Sequence, residues 1–162
     1  MTKFVSQKIR QKSGARLAAV QAVYMASFSE LGIDEVIKDF TDGKVGGFAI
    51  DENNPMHTEE LVELSPIDTA YFSNLVKGVF SKKEDLEKSL MIYLNDKYPF
   101  EKMDGTMQSL LLCAVYELTN TFDVDTKVII QEYVDLAYAF FNKNEPKMVN
   151  ALLDQIAHAV RI

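Results

Sequence analysis

Apolar side chains recur at steps of three and four residues along most of this 162-residue chain, which is the spacing that gathers them on one face of an α-helix. Seven segments show this spacing, and the sixth, from Asp125 to Phe141, is apolar nearly all round, as expected for a helix surrounded by others. No segment shows a convincing alternation of polar and apolar residues, although VDTKVII comes closest. The sequence therefore predicts an all-α fold of antiparallel helices with short connections, in which the sixth helix is central.

Residues typical of helix ends and of loops locate these helices along the chain. Ser13 is predicted to cap the first helix, Ser65 followed by proline to start the third, and Ser81 with Glu84 to form the capping box of the fourth. The three glycines of TDGKVGG predict a mobile loop over residues 41–58. The predicted helices cover residues 15–31, 33–40, 65–80, 81–94, 107–118, 125–141 and 146–160.

Charge is segregated along the chain, whose formal net charge is -7 at pH 7. The first 29 residues contain no acidic side chain, whereas the other 133 hold 12 basic and 24 acidic ones. The cations of this N-terminal part are Lys3, Lys8, Arg10, Lys12 and Arg16. Because an acidic protein is repelled by nucleic acid at long range, a phosphate backbone would have to bind at this basic end.

Most chemistries that need a dedicated set of side chains are not indicated by the sequence. Cys113, the single cysteine, lies in the apolar run SLLLCAVYEL and is interpreted as a core residue of a reduced, cytoplasmic protein. His57 and His158 have no second ligand at metal-binding spacing, and GKVGG lacks the context of a phosphate-binding loop. Neither a signal peptide nor a membrane span of about 18 apolar residues is indicated. The sequence thus predicts a protein that is not an enzyme and has no metal or cofactor.

The basic end, residues 1–12, is predicted to be an arm that runs into the first helix, whose free N–H groups and dipole also favour anions. Gln21 and Tyr24 follow on that helix and supply an amide and an aromatic ring, the groups that proteins use to recognise unstacked bases of single-stranded RNA. The alternative is that Tyr24 belongs to the core and that the arm is a solvated tail.

Three segments resemble the NusB family of bacterial transcription antitermination factors. They are ARLAAVQAVY at residues 15–24, PIDTAYFSNLVKGV at residues 66–79, and the stretch from Val115 to Ala157, which contains Tyr116-Glu117-Leu118. The resemblance implies a seven-helix fold of two packed antiparallel helical subdomains, in one domain spanning residues 1–162. It also implies binding to the boxA RNA of ribosomal RNA leader transcripts together with ribosomal protein NusE, within a complex that lets RNA polymerase read through terminators.

The same resemblance implies an RNA-binding site. Arg16, Gln21 and Tyr24 match the first-helix motif of the family, while Lys12 aligns with the start of its arginine cluster and Lys147 with a family lysine. Backbone phosphates are expected to be bound by Lys8, Arg10, Lys12, Arg16 and Lys147, and bases to be touched by Gln21 and Tyr24. Neutralising five phosphates of a single strand predicts a slope of about -3.5 for log affinity against log salt.

Departures from the family pattern leave alternatives open. Ser13 and Gly14 stand where the family usually has further arginines, and Met148 replaces a phenylalanine. One alternative, which these departures favour, is a helical protein–protein adaptor that has lost RNA binding. Another is an RNA-positioning domain related to ribosomal RNA methyltransferases, since a NusB-like domain also occurs in such enzymes, although this sequence has no glycine-rich cofactor-binding motif. A homodimer is also left open. The RNA hypothesis fails if Lys12 and Arg16 lie against internal carboxylates and no cationic strip faces solvent.

Overall fold

The computed structural model describes residues 7–42, 48–50, 61–63, 67–94, 97–142 and 144–161. Within these ranges the chain forms seven α-helices and two short strands, so the all-α class and the helix count are confirmed. The elements are α1 (Gln7–Phe28), α2 (Ile33–Thr41), β1 (Phe48–Ile50), β2 (Leu61–Glu63), α3 (Thr69–Ser81), α4 (Lys83–Tyr93), α5 (Gly105–Asn120), α6 (Thr126–Phe140) and α7 (Asn144–Val160). A 3₁₀ turn at Phe100–Lys102 precedes α5.

The helices form two groups that meet along α5. Helices α1, α2 and α3 pack against one another, and α4, α6 and α7 pack against α5, which also contacts α1 and α3. Ten of the 16 residues of α5 are buried, compared with five of the 15 in α6. The central helix is therefore α5, and the prediction that the sixth helix is central is wrong. The apolar composition of α6 gave the wrong prediction because its apolar residues include the exposed side chains of Val128, Tyr138 and Phe140.

Helix α1 begins earlier than the sequence predicts. It runs without interruption from Gln7, so residues 7–12 of the predicted basic arm are helical, and Ser13 is not an N-cap. The hydroxyl of Ser13 instead donates a hydrogen bond to Glu132 Oε1 on α6, over 2.7 Å. The run QKIRQK contains no glycine or proline and favours a helix on its own propensity. Its cations are consequently held on a helix rather than on a loose tail.

Other helix ends also differ from their predicted signals. Aspartates cap three helices: Asp68, Asp104 and Asp125 accept hydrogen bonds from backbone N–H groups in the first turns of α3, α5 and α6. The predicted capping box is wrong because Ser81 is the last residue of α3, where its hydroxyl donates to the carbonyl of Gly78 over 3.1 Å. The predicted cap Ser65 lies outside the described residues.

Part of the predicted loop at residues 41–58 is a strand. Strands β1 and β2 pair antiparallel, with Phe48 opposite Glu63 and Ile50 opposite Leu61. The prediction of a loop is therefore wrong for residues 48–50, since three-residue strands are too short to show a readable alternation. Residues 43–47 and 51–58, which include GKVGG and His57, lie outside the described part of the chain.

The interior of α5 supports the interpretation of Cys113 as a core residue. Its side chain is fully buried, and burial, together with the nearby charge of Glu117, raises the pKa of the thiol well above its usual value. A thiol held in its protonated form is a poor nucleophile. The interpretation of Cys113 as a core residue is confirmed.

Arg161, just beyond α7, binds the C-terminal end of α5. Its guanidinium donates to the carbonyl oxygens of Glu117 (3.1 Å), Leu118 (2.9 Å), Thr121 (2.6 Å) and Val124 (2.6 Å). Helices leave their last carbonyls without partners inside the helix, and a cation there also favours the helix dipole. One side chain thus ties the end of the chain to the central helix.

We expect Arg161→Ala to lower the free energy of unfolding by about 1.5 kcal/mol, because these carbonyls lose a charged donor. Chemical denaturation followed by circular dichroism measures the change. Arg161→Lys should lose less, since the ammonium keeps the charge but cannot reach all of these oxygens. An alanine variant with an unchanged denaturation midpoint would show that the carbonyls are equally well satisfied by water.

Candidate functional site

One face of α1 presents polar and aromatic side chains to solvent. Arg10, Gln21, Tyr24 and Phe28 are spaced by 11, three and four residues, which places them on the same side of the helix. All four are exposed, with Tyr24 at 42% and Phe28 at 57%. The alternative that Tyr24 belongs to the core is therefore wrong.

The aromatic end of this face lies beside the start of α5. The rings of Tyr24 and Phe28 are 5.0 Å apart between centroids. A Cβ added to Gly105 would lie 2.8 Å from Tyr24 Cε2 and 2.7 Å from Phe28 Cε2. The absence of a side chain at Gly105 therefore lets both rings lie close to the backbone of α5 while their outer faces stay accessible.

Lys8 and Lys12 lie one turn apart on a different side of α1. Lys8 is exposed, whereas Lys12 is partly buried, with its Nζ 5.4 Å from the centroid of the Tyr71 ring on α3. This geometry is a cation–π contact. The cations Lys8, Arg10 and Lys12 consequently surround the N-terminal turns of α1 instead of forming a single row.

Arg16 lies in the interior, which corrects the prediction that it contacts phosphates. Its side chain is 2% exposed, and the carboxylate of Glu117 on α5, itself 1% exposed, accepts hydrogen bonds from Nε (2.9 Å) and Nη2 (3.1 Å). Burial alone would lower the pKa of Arg16, but the hydrogen bonds and charge of Glu117 outweigh it and raise the pKa. The guanidinium is therefore a permanent internal cation with no face left for a ligand.

Two tyrosines complete the buried polar cluster around Glu117. The hydroxyl groups of Tyr71 on α3 and Tyr133 on α6 each donate to one oxygen of the Glu117 carboxylate, and Arg16 Nη2 also donates to the Tyr71 hydroxyl over 3.1 Å. Burial, reinforced by the charge of Glu117, raises the pKa of both phenols. The cluster thus joins α1, α3, α5 and α6 through a carboxylate with three donors.

The sequence contained a signal for this cluster that periodicity alone can reveal. Glu117 lies three and four residues from Ala114 and Cys113, on the buried face of an apolar helix. A carboxylate in that position needs a partner, since an unpaired buried charge is very costly. The sequence could not show which cation pairs with Glu117, because Arg16 is 101 residues away along the chain.

Lys147 belongs to a second region, at the start of α7. It lines a groove of about 470 Å³ between α7 and the C-terminal end of α4, together with Met148, Tyr93, Lys97 and Tyr98. The Nζ of Lys97 lies 5.5 Å from the centroid of the Tyr98 ring. Cations interleaved with aromatic rings are typical of single-strand binding surfaces. The segment YLNDKYPFEK shows this alternation of cations and rings in the sequence. That it packs beside α7 is visible only in the folded chain.

Ligands for a metal are not gathered in the described ranges: no group of three or more histidine, cysteine, aspartate or glutamate side chains there could hold an ion. Among the helices of those ranges, none has the length and apolar character needed to cross a membrane.

Comparison with known proteins gives a consistent result. The profile of the NusB family matches residues 13–158. The transcription antitermination protein NusB of Rhodospirillum rubrum is 37% identical over 157 residues, covering 93% of this chain and 85% of that protein. NusB of Rhizobium johnstonii is 35% identical over 151 residues, covering 93% of this chain and 88% of that protein.

Two solved structures share the fold. T. maritima NusB matches with a TM-score of 0.68 at 18% identity, covering 96% of this chain and 93% of that one. A chain from the crystal structure of the antitermination factors NusB and NusE in complex with dsRNA matches with a TM-score of 0.71 at 19% identity, covering 93% of this chain and 98% of that one.

Proposed function

This chain belongs to the NusB family of transcription antitermination factors, and from that premise we propose that it binds the boxA element of nascent ribosomal RNA leader transcripts through the N-terminal turns of α1. Such a factor acts by binding, so the protein is not an enzyme. We propose further that it works in the cytoplasm with a NusE-type ribosomal protein, as part of a complex that carries RNA polymerase past terminators. NusB and NusE occur together with RNA in the related crystal structure, which supports this choice of partners.

The observation that carries the proposal is the exposure of cations at the start of α1 in an otherwise acidic protein. Lys8 and Arg10 are exposed and Lys12 is half-buried at its cation–π contact, so a positive surface faces solvent there even though Arg16 does not contribute to it. The rest of the chain carries twice as many acidic as basic side chains and repels a phosphate backbone. RNA would therefore be directed to this end of the molecule.

Base contacts are assigned to the exposed face of α1. Tyr24 offers a ring on which a base can stack, and Gln21, on the adjacent turn, offers an amide that can donate to and accept from a base edge. Lys147, with the rings of Tyr93 and Tyr98 in the groove beside it, would hold a further part of the strand. The acidic remainder of the surface would attract a basic ribosomal protein during encounter.

Removal of two cations tests the proposal. We expect Lys8→Gln/Arg10→Gln to weaken binding of a boxA-type RNA about tenfold at moderate salt, because each phosphate contact releases bound counterions. With Arg16 excluded, four cations predict a slope of about -2.8 for log affinity against log salt, and the double variant should reduce its magnitude by about 1.4. Fluorescence anisotropy at several salt concentrations measures both quantities.

The matched control is Lys38→Gln/Lys127→Gln, which removes the same charge from exposed positions on α2 and α6. Its affinity should stay within about twofold of the wild type, since only long-range screened charge is lost. Equal weakening by both double variants would show that net charge, not the start of α1, determines binding. RNA binding by the wild type that does not depend on salt would contradict the proposal. Binding to the NusE-type protein that gains nothing from added RNA would favour the helical adaptor instead.

A further inference from the structure

We infer that Glu132 on α6 is a positioning residue that fixes the N-terminal turns of α1 in the orientation that RNA requires. The inference rests on the proposed function, but it concerns a residue that would not touch RNA itself. It is drawn from the contacts of one carboxylate with two consecutive turns of the helix that carries the cations.

Glu132 contacts α1 at two positions three residues apart. Its Oε1 accepts a hydrogen bond from Ser13 Oγ over 2.7 Å and lies 3.5 Å from Arg16 Nη1. Side chains three residues apart lie on the same face of a helix, so a single carboxylate fixes both the rotation and the height of α1 against α6. Glu132 is 21% exposed, at the edge of the buried cluster around Glu117.

The contact lies immediately beside the proposed phosphate-binding turns. Helix α1 continues from Ser13 back to Gln7, and the exposed side chains Lys8 and Arg10 lie on this part of the helix. Anchors of this part of α1 include the hydrogen bond from Asp68 N to the carbonyl of Gln11, at 3.1 Å, and the contact between Lys12 and Tyr71. Ser13 lies three residues from Arg10 and five from Lys8 on the same helix, so its contact with Glu132 acts within two turns of the two exposed cations.

The charge of Glu132 makes the inference testable by the sign of the effect. Arg16 supplies one positive charge to two carboxylates, Glu117 and Glu132, so the cluster carries an excess negative charge close to a surface proposed to bind phosphates. If Glu132 acted only through its charge, its removal would strengthen RNA binding. If it orients α1, removal of its oxygen atoms weakens RNA binding despite the loss of repulsion.

The experiment compares Glu132→Ala with Glu132→Gln. Glutamine keeps an oxygen that can accept from Ser13 and Arg16 but removes the charge. We expect Glu132→Ala to weaken boxA-type RNA binding about five- to tenfold, as for loss of a charge-assisted hydrogen bond, and Glu132→Gln to bind as the wild type or more tightly. Ser13→Ala should weaken binding in the same direction as Glu132→Ala. Equal tightening by the alanine and glutamine variants would overturn the inference.

Asp135→Ala is the matched control, because it removes an exposed carboxylate one turn further along α6 whose described partner is Gln131 on the same helix. It should leave RNA binding unchanged or slightly tighter.

Amide hydrogen exchange of residues 7–13 provides a second readout that needs no RNA: Glu132→Ala should accelerate this exchange and Glu132→Gln should not. If the wild type binds no RNA, the proposed function fails. Exchange that is unchanged in Glu132→Ala refutes the positioning role by itself.

Discussion

Replacing Glu117 with leucine should lower the free energy of unfolding by about 3–5 kcal/mol, the largest effect expected for any single substitution considered for this protein. The Glu117 carboxylate accepts hydrogen bonds from Arg16, Tyr71 and Tyr133, and both members of the ion pair are almost fully buried. Its removal leaves the guanidinium charge in the interior, where Glu132, 3.5 Å away, is the remaining carboxylate paired with it among the described residues. The two phenol hydroxyls also lose the acceptor to which they donate.

Urea denaturation of Glu117→Leu and of Arg16→Met/Glu117→Leu distinguishes two free energies. The single variant measures the stability lost when one partner is removed, and the double variant measures the net contribution of the ion pair. The double variant should recover most of the lost stability, because removing both charges also removes their desolvation cost. Glu84→Gln, in an exposed pair with Lys88 at 3.4 Å, is the surface control and should change stability by less than about 0.5 kcal/mol. A Glu117→Leu protein within about 1 kcal/mol of the wild type would contradict a buried ionic cluster.

The cluster also marks the limit of what the sequence could predict. Apolar spacing located α2 and the three C-terminal helices to within a few residues, because these helices bury one continuous stripe. The same spacing could not decide whether Arg16 faces solvent. Its location depends on Glu117, more than 100 residues further along the chain. Residue preferences at a helix start depend on neighbours in the sequence and therefore cannot indicate such a partner.

Part of the proposed RNA site also follows from the sequence, and part does not. The common face of Arg10, Gln21 and Tyr24 follows from helical periodicity once α1 is known to start at Gln7. The start itself was missed because Ser13 has the residue type of an N-cap, whereas its hydroxyl bonds to Glu132 on another helix. The groove at Lys147 forms where α4 meets α7, so only the folded chain shows that the rings of Tyr93 and Tyr98 lie beside Lys147.

Gly78→Ala should lower the free energy of unfolding by about 2–3 kcal/mol, although alanine is the better helix former. Gly78 lies within α3, where the ring of Tyr116 on α5 occupies the space next to its Cα: an added Cβ would overlap Cζ, Cε2 and the hydroxyl oxygen of that ring. The gain in helix propensity, about 1 kcal/mol, is outweighed because α3 and α5 must separate or the ring must leave its site.

Tyr116→Ala decides whether this overlap is the cause. In that background Gly78→Ala should become neutral or stabilising by up to about 1 kcal/mol, since only the propensity gain remains. The change of sign between the two backgrounds, measured by a double-mutant cycle in urea, is the expected result. Gly32→Ala is the matched control, because nothing lies within 4 Å of its added Cβ, and it should change stability by less than about 1 kcal/mol. Additive effects of the Gly78 and Tyr116 substitutions would instead show that the two side chains do not meet, and that α3 approaches α5 for another reason.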